Sequence, residues 1–448
     1  IITDLLFWYF FCVARLPNIV LMTLFNLYQA GRNVWLTGMR GLGVYPRRAQ
    51  EREKWIKKAG ISIRQNRSSI QFLRKLFRDR RWRRAKALFQ TLFLGFFLRN
   101  QWRYMRREKF EAALDFISVS PSAACNLSCK GCYASRFEGD QTITCAEFNR
   151  LLLEARAMGA HTCCLTGGEP FQYPDLYRVM RMNPGIFFLV YSNGTLLDDV
   201  AFKELETISN CLILLSIEGS KEETDARRGE GVYDAVMEAA VLLESKKFLW
   251  GFTITLSSLN GDRVATVDFI ESLVAIGADV IWFATYLPVG REVDWDLVPS
   301  PEQRVRLFRA VKEARQIFPV LIVDFANDSE YVGGCEGGGR KFIHINHRGE
   351  VEICNFSRIA KGNIRQSPLA QILADDFYRE IRQKSPYSNS FRTPCLMDCN
   401  VEEFLEICRR HFSEDELAAD AFFSADSVSR SNQYRQAVQK EFLKGVPF

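Results

Sequence analysis

Cys125, Cys129 and Cys132 fall in the run Cys-Asn-Leu-Ser-Cys-Lys-Gly-Cys, a C-x3-C-x2-C spacing on one tight loop. Three soft thiolates held that close favour an iron–sulfur cluster or zinc over a disulfide. A cubic [4Fe–4S] cluster takes one thiolate per iron, so a triplet leaves one iron open to a small molecule. A structural zinc site takes four ligands, and none follows nearby: Tyr133, Ala134 and Ser135 come next, and the nearest histidine is His161. The spacing favours the open cluster, with a zinc knuckle as the alternative.

The loop needs a frame. Strand-like apolar runs occur at 116–120, 162–166, 186–191, 212–217, 249–256 and 280–284, with helical periodicity between them at 146–158, 198–208, 232–243 and 263–276. Six strands alternating with helices imply an α/β fold with a parallel sheet and right-handed crossovers. The cysteine loop follows the first strand. The second, Thr162-Cys163-Cys164-Leu165-Thr166, runs into Gly167-Gly168-Glu169-Pro170, where glycine permits a close backbone approach.

The triplet after one strand and Gly-Gly-Glu-Pro after the next resemble the radical S-adenosylmethionine (SAM) enzymes. The resemblance continues through Tyr191-Ser192-Asn193-Gly194-Thr195, Leu215-Ser216-Ile217-Glu218-Gly219, Arg227-Arg228-Gly229, residues 251–255 and Pro288-Val289-Gly290-Arg291, and covers about 115 to 325. It implies a partial (β/α)6 TIM-like barrel with ligands at the C-terminal ends of the strands. Cys125, Cys129 and Cys132 would then hold the cluster whose open iron takes the amino and carboxylate groups of SAM. Tyr133 would lie near the adenine, Gly167 and Gly168 would admit the SAM amino group, and Glu169 would add an acceptor. Ser216 and Arg228 match positions that touch the ribose and the carboxylate. Asn193, at the end of the third strand, could reach the same region, although Ser192-Asn193-Gly194 also reads as an ordinary turn. Arg227 competes with Arg228, and both read equally as surface charges. An electron donor such as flavodoxin or ferredoxin is implied.

Cys335, Gly349 and Cys354 form a C-x13-G-x4-C run, and Cys395-x3-Cys399 follows Pro394. This resembles the SPASM or twitch extensions of radical SAM enzymes, which carry auxiliary clusters. Four cysteines suffice for one closed [4Fe–4S] cluster, here Cys335, Cys354, Cys395 and Cys399, with zinc again the alternative. A small hairpin is expected over 341–345 and 351–353. Cys408 is a spare or alternative ligand, and Cys12, Cys145, Cys163, Cys164 and Cys211 read as small buried apolar residues.

At 448 residues the chain exceeds one ordinary core. The boundaries expected are a helical extension over 1–110, the barrel over 111–325, and the auxiliary-cluster domain with a helical tail over 326–448. Thirteen cysteines in a chain this large point to metal in a reducing compartment, hence the cytoplasm. The net charge of +6 conceals an asymmetry: residues 46–109 hold 21 Lys/Arg against 4 Asp/Glu, a surplus of 17, so the remainder carries −11. Within 1–110, apolar runs at 5–13 and 19–28 flank Pro17, and Arg- and Trp-rich stretches border 88–98. Each apolar run is about half a membrane span. The pattern suits a peripheral helix on an anionic membrane face, a helix packed on the barrel, or an RNA-binding arm, in that order, with nucleic acid the weakest. The expected function is radical attack on a C–H bond of a membrane-associated lipid or lipid-linked substrate. Peptide or protein maturation is the runner-up, and RNA modification comes after it.

Overall fold

The computed structural model describes residues 112–444, apart from 137–138, 291–293, 386, 388–389 and 419, together with Phe72 and Lys75. Seven parallel strands follow in chain order: β1 (Phe116–Val119), β2 (Thr162–Leu165), β3 (Phe187–Ser192), β4 (Cys211–Ile217), β5 (Trp250–Leu256), β6 (Val280–Thr285) and β7 (Leu321–Asp324). The six strands read from the sequence are present in a partial barrel, and β7 is an addition. Its four residues follow Pro319 too closely for a period of two to stand out.

Local chemistry sets the elements. Helix α1 (Cys145–Met158) opens on a capping box between Thr144 and Glu147 and stops at Gly159, which takes the left-handed conformation. All seven residues of β4 are buried, as a central parallel strand covered on both faces requires. The helix expected over 263–276 is broken into Gly261–Val264 and Val267–Ile276, because Thr266 caps the second piece. Three further helices matter below: α2 (Lys221–Arg228), α3 (Pro301–Ile317) and, at the C-terminal end, α4 (Ala425–Leu443).

The auxiliary hairpin continues the barrel's own sheet. β8 (His344–Ile345) pairs parallel with β1, Ser118 opposite His344; β9 (Glu350–Glu352) runs antiparallel to β8, and β10 (Ala360–Asn363) antiparallel to β9. The sheet is therefore ten-stranded, in the order β10-β9-β8-β1-β2-β3-β4-β5-β6-β7. One hydrophobic core runs from the barrel through Ile343, Ile345 and Val351 to Phe404 and Phe422.

At the opposite end of the barrel, Phe72 packs with Phe187, Leu212, Leu214, Leu249 and Val280. Lys75 Nζ donates to the carbonyls of Gly277 and Ala278 at 3.1 and 3.0 Å and pairs with buried Asp279 at 3.2 Å. These two residues of the basic N-terminal segment therefore engage the barrel base; the rest of the segment, with its membrane and RNA readings, lies outside the described residues. Among the described residues no helix is long and apolar enough to cross a membrane.

Candidate active site

All the residues anticipated for SAM line one cavity at the C-terminal ends of the strands: Cys125, Cys129, Cys132, Tyr133, Gly167, Gly168, Glu169, Asn193, Ser216 and Arg228. Cys125 is exposed, while Cys129 and Cys132 are half-buried. Although Cys125 is the most open of the three, the protein surrounding its thiol strips it of water enough to push it up to about 11, with the Leu127 N–H pulling the other way. Burial also raises Cys129, against the pull of Arg228 and Arg227. Such thiols become ligands when a metal displaces their protons.

Gly168 has a reason the sequence did not disclose. A Cβ there would stand 1.9 Å from the Ala124 carbonyl oxygen, directly ahead of Cys125. The Gly168 N–H donates to Ser122 O at 3.2 Å and the Glu169 N–H to Ala124 O at 2.7 Å. The glycine segment is thus the seam that holds the cysteine loop against β2. Glu169 also has both of its oxygens engaged within the protein, with Oε2 taking a single donor. Ser192 Oγ and the Phe171 N–H donate to Oε1 at 2.8 and 3.2 Å, and the Asn193 N–H donates to Oε2 at 2.8 Å. It clasps the end of β2 to the end of β3, and burial raises its pKa against those hydrogen bonds.

Asn193 Nδ2 donates to Asn126 Oδ1 at 2.9 Å, and Asn126 Nδ2 donates to Thr195 Oγ1 at 2.7 Å, tying the cysteine loop to β3. The two arginines share the work. Arg227 Nη1 and Arg228 Nη2 both reach Glu218 Oε1 at 2.6 Å. Arg227 also exchanges backbone and side-chain hydrogen bonds with Lys130, between Cys129 and Cys132. Glu218, 2 % exposed, holds the C-terminal end of α2 beside the triplet. Its role, like that of Asn126, was not read from the sequence; its place in Leu215-Ser216-Ile217-Glu218-Gly219, ending a buried strand, was the available clue.

Tyr133 places its ring edge-on to Phe356 (5.3 Å, 65°), with its hydroxyl in hydrogen-bonding reach of Thr166 and Asn355. Asn355 Nδ2 also donates to Ser118 Oγ at 2.8 Å, so the auxiliary hairpin forms part of the cavity wall. Much of the remaining wall is aromatic. Phe116 and Phe342 stack at 4.6 Å, Trp282 stacks on Phe325 at 6.0 Å, and Tyr191 meets Trp282 edge-on.

Of the second set, Cys335, Cys354 and Cys395 are half-buried and Cys399 is buried. Cys395 lies in the electrostatic field of the other three. Cys408 is fully buried in the apolar core, and its charged neighbours are Arg410 and Asp420 rather than the quartet. Among the described residues no three His, Cys, Asp or Glu side chains close round a single ion-sized point. A cubane gives each iron its own thiolate, so it requires spacing of the sulfurs rather than convergence.

Residues 119–270 match the radical SAM superfamily, and residues 335–400 match the SPASM iron–sulfur cluster-binding domain. The chain belongs to the radical SAM superfamily and carries a SPASM domain. It is an enzyme whose cofactors are SAM and [4Fe–4S] clusters. An AdoMet-dependent heme synthase of Methanosarcina barkeri is 23% identical over 318 residues, 64% of this chain and 88% of that one. A PqqA peptide cyclase of Methylobacterium nodulans is 26% identical, covering 56% and 70%. SuiB of Streptococcus suis, solved with its precursor peptide SuiA, has a TM-score of 0.56 over 66% of this chain and 74% of that one; at 16% identity this shows the fold alone.

Proposed function

We propose that this radical SAM enzyme modifies a peptide, one apolar side chain of which enters the cavity while the backbone stays at the rim. The observation that carries this reading is the cavity's mixed lining. Hydroxyls and amides of Ser118, Thr166 and Asn355 share one cavity with the cysteine loop and with the rings of Phe116, Tyr191, Trp282, Phe325 and Phe342. A peptide cyclase among the relatives and a peptide-bound structural neighbour support it. The relatives described above are not named for lipids, and the lipid reading is not carried forward. A tetrapyrrole is the second reading, favoured by the flat Phe116–Phe342 stack and by the heme synthase of which this chain spans most of the length.

Cys125, Cys129 and Cys132 would hold the SAM-binding cluster, and Cys335, Cys354, Cys395 and Cys399 one auxiliary cluster. When bound and reduced, the first cluster supplies the electron that splits SAM into methionine and a 5′-deoxyadenosyl radical able to abstract hydrogen. The chain's own part is placement. Gly168 and Glu169 hold the cysteine loop, Arg227 and Arg228 set positive charge beside Cys129, and Tyr133 and Ser216 shape the wall for the nucleoside. A cytoplasmic flavodoxin or ferredoxin is the class of electron donor.

Reduced protein with SAM should release 5′-deoxyadenosine and methionine, and Cys129→Ala should abolish this while the auxiliary cluster stays; survival of cleavage would overturn the site. Side-chain-deuterated peptide pools then test the substrate, since a peptide substrate passes deuterium to 5′-deoxyadenosine. Transfer from deuterated iron–coproporphyrin and from no peptide would replace the first reading by the second.

A further inference from the structure

Arg304, on α3, has no exposed side-chain surface. Its guanidinium is held from several elements at once. Nη1 donates to Asp398 Oδ2 at 2.5 Å, Nε to Asn327 Oδ1 at 3.2 Å, and Nη2 to the Arg392 carbonyl at 3.3 Å. The ring of Tyr434, on α4, lies 6.0 Å from its Cζ. The same Nη1 stands 3.8 Å from Cys399 Sγ, within range of an N–H···S hydrogen bond.

Asp398 sharpens the point. Its Oδ2 lies 3.3 Å from Cys399 Sγ, where it accepts the thiol proton. A cysteine that ligates iron has no such proton to give. Carboxylate and thiolate then become two acceptors side by side in a buried setting, and the group that touches both is Arg304 Nη1. A fixed cation with a directed N–H stabilises negative charge on the sulfur, and an electron added to a cluster spreads onto its sulfurs. Hydrogen bonds and charge beside the ligands are among the levers that set cluster potentials.

We propose that Arg304 tunes the auxiliary cluster, raising its reduction potential by donating to the Cys399 sulfur while screening Asp398. The barrel helix α3 thereby supplies the charge that sets the redox poise of a cluster held by the auxiliary domain. The inference rests on Cys335, Cys354, Cys395 and Cys399 being that cluster's ligands.

The test is a redox titration followed by electron paramagnetic resonance, on full-length chain with Cys125, Cys129 and Cys132 changed to Ala so that only the auxiliary cluster remains. Arg304→Gln in that background should lower the reduced-to-oxidised ratio about tenfold at the parent's midpoint, equivalent to a fall of about 59 mV for one electron. Arg304→Lys, which keeps the charge without the planar fork, should fall between the two. An unchanged midpoint in whichever of these variants retains a full [4Fe–4S] complement overturns the proposal. If neither retains iron, Asp398→Asn decides: freeing Nη1 for the sulfur and removing the neighbouring charge should raise the midpoint, and an unchanged or lower value overturns the proposal. A parent that binds no iron at all refutes the ligand set itself, which separates that failure from this one.

Discussion

Ser120 Oγ lies 2.7 Å from His344 Nε2, and this contact joins the end of the first barrel strand to the auxiliary hairpin. On its other side His344 Nδ1 meets Glu352 Oε2 at 2.7 Å, and Glu352 Oε1 accepts from Asn346 Nδ2 at 2.9 Å. Ser120 Oγ continues to Thr166 Oγ1 at 3.2 Å, at the edge of the cavity. A buried polar chain of this kind fixes β8 on β1 in one register, because a slip would strand each member without its partner.

His344→Ala should therefore destabilise the fold by roughly 1–3 kcal/mol, since Ser120 and Glu352 each lose a buried partner. Urea denaturation measures the loss. An Ile343→Val change beside it, removing one methylene, should cost only about 1 kcal/mol. Equal effects of the two would show that the polar chain adds nothing to ordinary packing.

Gly168→Ala asks whether the glycine segment positions the cysteine loop. The added Cβ meets the Ala124 carbonyl at 1.9 Å, so either the loop or β2 must move. A displacement of about 1 Å costs on the order of 10²-fold in a positioned reaction. Release of 5′-deoxyadenosine should fall by about that factor, with the auxiliary cluster retained by iron analysis. Normal cleavage in Gly168→Ala would mean that the seam is not needed for chemistry.

These two positions mark where the sequence stops being legible. The triplet, the glycine segment and the alternation of strands and helices are local patterns, and local spacing carried them to their places in the fold. What Gly168 packs against lies 44 residues upstream, and what His344 bonds lies 224 residues away. Side-chain type cannot name a partner at that range. The same reason hid Glu218 between two arginines, Arg304 beside Cys399, and the continuation of the auxiliary hairpin into the barrel sheet. β7 escaped differently: β1 and β2 are no longer than it, but motifs follow them and mark their ends, whereas β7 comes just after Pro319 with no motif behind it.

Phe72 and Lys75 give the N-terminal segment a function that its charge alone did not reveal. Lys75→Met removes the ammonium 3.2 Å from Asp279, whose side chain has no exposed surface. Breaking such a pair costs roughly 3–5 kcal/mol, and Asp279→Asn in the same chain should recover much of it. Phe72→Ala should cost about 3 kcal/mol by emptying the space among Phe187, Leu212 and Val280. Thermal melts of the four proteins test this; a Lys75→Met chain as stable as its parent would separate the segment from the barrel base.

The last prediction concerns pH and the junction between β7 and the auxiliary domain. Asp324 is 1 % exposed, and burial, reinforced by the neighbouring Asp328, pushes its pKa up to about 6 against a usual 3.8, while Asn327, Arg315 and Arg304 oppose the shift. A carboxyl raised in the folded state binds a proton that the unfolded chain has already released. Its stabilising contribution is therefore complete below about pH 4 and is lost as pH rises toward 6. Over that window stability should fall by roughly 1.4 kcal/mol per pH unit and then level off. Asp324→Asn has no proton to lose and should flatten the profile, while Asn327 still finds an acceptor in the amide oxygen. Urea midpoints of parent and variant at pH 4.5, 5.5 and 7 measure the difference between the two slopes. Parallel profiles would place the ionisation elsewhere, since every other titrating group is common to both chains.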